Sequence, residues 1–348
     1  MNKDLLHLLE DITDDPQQPS SSDDNKHSRV LLIDSLNLFF RNFSTLNSIA
    51  PNGNHIGGLG GFLRSLGTLI KETNPTSVYV VFEGMGSTIN RKNILPEYKS
   101  NRHIKRITNW EIFDNLEEEL DSKIDQLSRL VQYLKLLPVK TISIDKAEAD
   151  DVIAYLSGHL VEKYNSQVFI VSNDKDYLQL INENILVYRP TERMYYDYDK
   201  IKEKFQVLPE NFILYKTLLG DNSDSVEGVK GLGEKGIFKK FPELLDTHIT
   251  LDDILQISEE KLEEHITYAR VLQAAERLKS NYKIMDLSKP LIDEYDEEYL
   301  KQFVEEHAPQ LQSSLIAKLY NEDNLGAIIR NLDWWIKENF TQLTGFNK

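Results

Sequence analysis

Nine carboxylates stand in short clusters along the chain: Asp34, Glu83, Glu148 with Asp150 and Asp151, Asp174 with Asp176, and Asp221 with Asp224. Three of these clusters follow apolar, β-branched runs. Val30-Leu31-Leu32-Ile33 precedes Asp34, Val78-Tyr79-Val80-Val81-Phe82 precedes Glu83, and Val168-Phe169-Ile170-Val171 precedes Asp174. In an open parallel sheet the functional crevice lies beyond the carboxyl ends of the strands. Runs that share one sheet therefore bring these acids to one edge. So many anions raise one another's pKa unless cations neutralise them. Carboxylate oxygens suit hard divalent ions such as Mg²⁺ or Mn²⁺. The pattern reads as a multi-carboxylate metal site.

Each cluster also has an ordinary explanation. Acids favour helix N-termini through capping and the macrodipole, but Glu148, Asp150 and Asp151 put three within four residues. Ser172-Asn173-Asp174-Lys175-Asp176 fits a plain Asx turn, yet its two acids at i and i+2 can both aim at an ion. Gly220-Asp221 through Gly233 combines Asp221 and Asp224 with a glycine-rich turn whose backbone N–H groups suit a phosphate. Gly231, Gly233 and Gly236 match G-x-G-x-x-G, but no strand leads into them. Glu234 sits where a P-loop needs lysine. The histidines are scattered, and no G-x-S-x-G elbow is present.

A net charge of −16 argues at first against a nucleic-acid partner, but the nine acids account for more than half of it. Between Ile89 and Arg106 lie Arg91, Lys92, Lys99, Arg102, Lys105 and Arg106 against one acid, Glu97. Between Gly228 and Lys240 lie Lys230, Lys235, Lys239 and Lys240 against Glu234. Basic stretches beside a metal site suit a phosphodiester substrate. Tyr98, in the run Arg91 through Arg102 with Lys99 next to it, is placed to stack on a base; the alternative is a half-buried tyrosine on a charged helix surface. Cysteine is absent, which removes disulfides and thiolate chemistry and fits a reducing cytoplasm. No run of eighteen apolar residues exists, so no membrane span is expected.

Strands and helices alternate from Arg29, which predicts an α/β fold with a mainly parallel sheet. Strands are expected at 30–33, 78–82, 141–144, 168–171 and 185–188. A long helix is expected over 107–137, and another from Glu148 carrying Val152, Ile153, Leu156 and Leu160. Pro209 starts a helix that stops at Gly220. Residues 245–340 have helical periodicity. At the N-terminus, Leu5, Leu6, Leu8, Leu9 and Ile12 form an amphipathic block, and 13–28 read as a polar linker. Such a block is either a partner-binding tail or a fraying helix.

Taken in order, the motifs resemble the 5′-nucleases, the structure-specific flap endonucleases and 5′→3′ exonucleases. The matching pieces are Leu31–Asp34, Val80–Gly84, Pro96–Arg102, Glu148–Asp151, Ser172–Asp176 and Gly220–Gly233. The leucine-acid N-terminus, the stretch around Trp110 and the helical last third most resemble the T-even phage ribonuclease H branch. The resemblance implies a PIN-like nuclease core over 29–207, with an arch at about 87–125. It also implies a helix–turn–helix-type DNA-binding and C-terminal region over 208–348, with its glycine-rich turn at 220–236. It implies two Mg²⁺ ions, with Mn²⁺ as a substitute. Asp34, Glu83, Glu148 and Asp150 would serve the ion that activates water, and Asp174, Asp176, Asp221 and Asp224 the second. Lys99 and Arg102 would position the scissile phosphate, Asp151 would support either ion, and Arg91, Tyr98, Lys105, Arg106, Lys230, Gly231, Gly233 and Lys235 would contact DNA. Glu83 stands where the family usually has Asp, and Ser35 where Gly often follows the first acid.

The activity so implied is metal-dependent hydrolysis at 5′ ends of DNA and RNA–DNA duplexes, including primers and flaps. Implied partners are a sliding clamp for the N-terminal block and a single-stranded DNA-binding protein for the C-terminal region. The enzyme would act as a monomer in the cytoplasm, a host's if phage-encoded. The rivals are a non-catalytic DNA-binding replication adaptor on the same fold, which loss of several acids would signal, and a toxin-type ribonuclease, against which the glycine-rich duplex grip argues.

Overall fold

The computed structural model describes residues 24–103 and 106–344. Its centre is a six-stranded sheet of β1 (Arg29–Asp34), β2 (Ser77–Glu83), β3 (Lys140–Ile144), β4 (Gln167–Val171), β5 (Ile185–Arg189) and β6 (Met194–Tyr196). The spatial order is β3-β2-β1-β4-β5-β6, with the first five parallel and β6 antiparallel to β5. The expected strands are present, each extended by one or two residues. Their continuous apolar runs reflect burial on both faces. Val30, Leu32, Val168 and Ile170 enter one core, and Leu31, Ile33, Phe169 and Val171 the other.

Helices α1 (Ser35–Thr45), α2 (Gly57–Thr73) and α4 (Leu116–Leu134) line the second core, and α5 (Ala149–Tyr164) the first; α3 (Ile89–Ile94) lies between β2 and α4 in the chain. After a short helix α6 (Tyr198–Phe205) and a 3₁₀ turn at Pro209–Asn211, α7 (Phe212–Leu219) ends at Gly220, as expected. From Glu234 every described element is helical. These later helices build into the same two cores. Leu278 and Leu300 join the first, and Trp335 and Phe340 the second.

Two expectations are corrected. The helix expected over 107–137 forms only at Leu116–Leu134, because the Asn115 side chain accepts the Glu118 N–H and caps it there. Glu119 instead binds the backbone N–H groups of Thr108 and Asn109, fixing 108–109 outside the helix. The linker expected through residue 28 ends earlier, since Asp24–His27 is a 3₁₀ turn. Its His27 is buried against the Tyr164 ring at 4.4 Å, and Lys26 donates to the carbonyls of Glu305 and Glu306. Strand β6 carried no strong signal, because three residues are too few to show a period. The leucine-acid block at residues 1–12 lies outside the described residues.

Candidate active site

The chain runs outward from β1 to β2 and β3, then crosses back to β4 on the other side of β1. The switch point between β1 and β4 opens a crevice at the carboxyl ends of both strands. Asp34 ends β1 and caps α1, its Oδ1 accepting the Asn37 N–H at 3.2 Å. Its Oδ2 accepts the Ser172 hydroxyl, from just past β4, at 2.9 Å. Asn37 reaches across to the Asn173 N–H at 2.9 Å. Asp174 accepts the Asp176 N–H at 2.9 Å, so the Asx turn is real, and both acids still belong to the crevice. Glu83 ends β2, and Glu148 stands at the N-cap of α5 with Asp150 and Asp151 in its first turn.

Burial raises five of these acids, and the charges of their neighbours, chiefly Asp150, add to it. Burial pushes Asp34 up to about 7, aided by the charges of Glu83 and Asp150. Burial and then Asp150 raise Glu83, and the same two causes bring Glu148 to about 7. Asp174 is pushed to about 6 by burial, with Asp150 and Asp34 adding, and Asp176 to about 7 by burial and Asp174. Asp150 acts on every other member and is the hub of the set.

Side-chain cations balance this charge. Lys99 Nζ lies 2.6 Å from Glu148, and Lys216 Nζ lies 2.7 Å from both Asp176 and Asp221. Burial works to raise Asp221, but Lys216 and Ser223 overcome it and hold the carboxyl below its usual range. Sequence reasoning missed Lys216; its signal is a lone lysine in the apolar run Phe212-Ile213-Leu214-Tyr215 to Leu218-Leu219. A cleft of about 540 Å³ runs from Asn37 and Asp174 past Lys216 to Asp221.

The structure reassigns several residues. Arg91, expected on DNA, is only 3% exposed. Its guanidinium grips Asp151 at 2.5 and 3.2 Å and reaches Glu148 and Asp150 at 3.4 Å, while its Nε donates to the Ile284 carbonyl at 2.8 Å. Burial opposes that charge, yet Asp150, Asp151 and Glu148 keep it firmly protonated. Asp151 also accepts the Leu291 N–H at 2.9 Å, which ties α5 to the C-terminal helices instead of aiming the carboxylate at a reacting group. Tyr98, expected to stack on a base, is buried in an apolar cluster with Leu95, Ile213 and Ile284. Its hydroxyl donates to Glu148 at 3.0 Å and to Asp224 at 3.4 Å. Asp224 thus meets the site through Tyr98 on the Glu148 side, whereas Asp221 meets it through Lys216.

Lys99 holds φ at +56°, a sparsely populated backbone for a side-chain-bearing residue and one that clusters at functional sites. Its N–H donates to the Asp224 carbonyl at 2.7 Å, and Asn101 donates to the Asn222 carbonyl at 2.7 Å. The basic stretch is therefore stitched to the glycine-rich turn. Gly220 and Gly228 close that turn face to face, and a Cβ on Gly220 would stand 2.3 Å from the Gly228 nitrogen. Lys230, Gly231, Gly233 and Lys235 are exposed beyond it, as is Arg106. Arg102 has only its backbone described, in the turn Ser100–His103, and Lys105 lies outside the described residues.

The donor set fits a hard divalent ion: it is all oxygen, and the buried Glu83 Oε2 and Glu148 Oε1 have no hydrogen-bond partner. Among the described residues no three acids or imidazoles converge on one point as they stand. Lys99 and Lys216 occupy the oxygens an ion would use, so ion and lysine compete for them. A prediction follows from the raised pKa values. An acid raised on folding favours the fold at low pH, and that contribution is lost as pH rises through the folded value. Four groups at about 6 to 7 outweigh those that burial lowers and that act in the opposite sense, Lys140 to about 7, His27 to about 4, and His55 and His159. With chelator present, the melting temperature should fall between pH 6 and 7.5, and Mg²⁺ should restore it more at 7.5 than at 6. A flat or rising profile unaffected by Mg²⁺ would contradict the burial of these acids in one site.

A doubly wound sheet with carboxylates crowding its switch point defines an acidic-site, resolvase-like α/β protein. The chain belongs to the 5′→3′ exonuclease family. The model of the 5′-3′ exonuclease N-terminal resolvase-like domain matches residues 29–206. The 5′-3′ exonuclease of Aquifex aeolicus is 31% identical over 273 residues, covering 78% of this chain and 86% of that one. The 5′-3′ exonuclease of Mycoplasmopsis pulmonis is 28% identical over 301 residues, covering 80% and 95%. In fold, the chain is similar to the 5′-exonuclease of bacteriophage T5, solved with zinc bound, at 23% identity and a TM-score of 0.62 over 80% of this chain and 98% of that one.

Proposed function

We propose that this protein is a divalent-metal-dependent, structure-specific 5′ nuclease that trims 5′ ends of duplex DNA, cutting flaps and RNA primers. The observation that carries this reading is the crowding of Asp34, Glu83, Glu148, Asp150, Asp174 and Asp176 at the sheet's switch point, with four of them raised to about 6 or 7. Asp34, Glu83, Glu148 and Asp150 would hold one Mg²⁺, and Asp174, Asp176 and Asp221 a second; Asp224 contributes through Tyr98. Mn²⁺, with the same ligand preference, is a reasonable substitute. When bound, such ions lower the pKa of water and neutralise charge building on the phosphoryl oxygens.

The protein's own groups then do the rest. Lys99 can exchange Glu148 for a non-bridging phosphate oxygen, which places a cation where the transition state gains charge. Arg91 and Tyr98 hold Glu148, Asp150 and Asp224 in register, so the acids keep their positions as substrate arrives. Water adds to phosphorus and gives up one proton to solvent, the phosphorus–oxygen bond to the leaving sugar breaks, and the departing oxygen takes up a proton from solvent. The exposed turn at Lys230–Lys235 would follow the duplex backbone, with its lysines neutralising phosphates. In this reading residues 29–207 form the nuclease core, 208–348 the duplex grip and C-terminal region, and residues 1–12 a tail for a sliding clamp.

Two substitutions test this division of labour. Lys99→Ala should lower turnover by about tenfold or more with little change in substrate affinity, since it acts on charge that develops in the transition state. Lys230→Ala should leave turnover unchanged, weaken duplex binding and flatten the salt slope by roughly 0.9. Matching kinetic profiles for the two variants would contradict the reading.

A further inference from the structure

A second concavity lies far along α2 from the crevice. It is a cleft of about 460 Å³ between α2 and the C-terminal helix Leu332–Thr344, lined by Ile328, Ile329, Trp334 and Trp335 on one side and by Arg64, Thr68 and Lys71 on the other. Trp334 is 53% exposed, and Lys71 Nζ lies 5.0 Å above its ring. Ile328, Ile329 and Trp335 form the buried floor of the cleft, and Trp334 is its exposed apolar edge. Its rim is mixed. Glu72 is on the wall and Lys71 is shared with Glu338 at 3.4 Å, which leaves Arg64 and Arg330 to meet an acid.

We propose that this cleft is the docking site for the chain's own first twelve residues. Leu5, Leu8, Leu9 and Ile12 repeat at i, i+3, i+4 and i+7, the spacing of one helical face, and an apolar helical face fits an apolar groove. Asp4, Glu10 and Asp11 outnumber Lys3 on that segment, which complements Arg64 and Arg330. The reach is adequate. The backbone of Arg29 bonds to Thr76, three residues past the end of α2, whose last turn carries Lys71 and Glu72. Upstream of it Lys26 and His27 turn toward Glu305 and Tyr164 on the first-core side, so the tail must round the edge of the sheet to reach the cleft. From Asp23 back to Ile12 the chain spans up to roughly 36–40 Å when extended and about 17–20 Å root-mean-square as a coil. A tether that short gives an effective concentration on the order of millimolar, enough for a modest contact to persist. A partner that takes residues 1–12 must therefore displace them from this cleft, so the tail is held back until that partner is met.

The absence of native cysteine makes the test clean. In the full-length chain, Leu9→Cys combined with Thr68→Cys should form an intramolecular disulfide under a mild thiol oxidant. The rate should be at least tenfold above the pair Leu9→Cys with Glu259→Cys, whose second site lies on another helix outside the cleft. Adding Arg64→Glu and Arg330→Glu should slow it severalfold. In a Trp110→Phe, Trp335→Phe background, which leaves Trp334 as the single tryptophan, deleting residues 1–23 should raise its acrylamide quenching about twofold, and a peptide of residues 1–14 should reverse the rise. Equal cross-linking rates for the two pairs would overturn the proposal. So would cross-links only between molecules, which would make a second copy the occupant, or quenching indifferent to both deletion and peptide.

Discussion

Asp150→Asn is expected to lower phosphodiester cleavage about a hundredfold or more while leaving the fold and duplex binding nearly intact. A hundredfold corresponds to roughly 2.7 kcal/mol of transition-state stabilisation. The expectation rests on position. Asp150 is the one acid whose charge reaches Asp34, Glu83, Glu148, Asp174 and Asp176 alike. Removing its charge relieves repulsion among its neighbours, so the metal-free variant should be no less stable than the parent, and its melting temperature should show less pH dependence between 6 and 7.5. Arg91 retains Asp151 at 2.5 Å, so the α5 attachment survives. Single-turnover cleavage and filter binding, measured side by side, separate the two effects. Activity within threefold of the parent would remove Asp150 from the reaction.

Arg91→Met should do the reverse, damaging stability before chemistry. It leaves Glu148 and Asp151, both buried, without their shared cation. Breaking a buried ion pair from one side costs about 3–5 kcal/mol, because the abandoned charge stays desolvated. That is a large share of a typical protein's stability of roughly 5–15 kcal/mol. The loss should appear as a melting temperature lowered by several degrees. Pairing it with Asp151→Leu, which removes the abandoned charge, should recover part of the loss, a coupling that a double-mutant cycle measures. The contrasting outcome is unchanged stability with weaker duplex binding, which would return Arg91 to the DNA-contacting role that its sequence neighbours suggest.

Arg91 and Tyr98 also show where sequence reasoning runs out. Both lie in a stretch rich in lysine and arginine, and local composition cannot tell a surface cation from one buried by distant partners. Arg91 is buried by Asp151, 60 positions away, and by Ile284, 193 positions away. Tyr98 is enclosed by Ile213, Val226 and Met285. By contrast, the strands were legible because burial on both faces leaves unbroken apolar runs, and an acid directly after such a run must sit at the sheet's carboxyl edge. Asp34, Glu83 and Asp174 were found that way. The start of α4 was lost because periodicity does not mark a boundary: Asn115 caps it through one hydrogen bond, and Glu119 pairs with the preceding loop. Lys216 was overlooked because its two carboxylate partners come from a 3₁₀ turn and a two-residue strand, neither of which has a period to read.

The most direct test of the account is cleavage of 5′-labelled nicked, flapped and RNA-primed duplexes by the full-length protein, with Mg²⁺ and with chelator. The account predicts release of short products or intact flaps from the 5′ end, restored by adding Mg²⁺ back and abolished by Asp150→Asn. Cleavage that persists in chelator, products released from the 3′ end, or no cleavage of any of the three duplexes with Mg²⁺ present would contradict it.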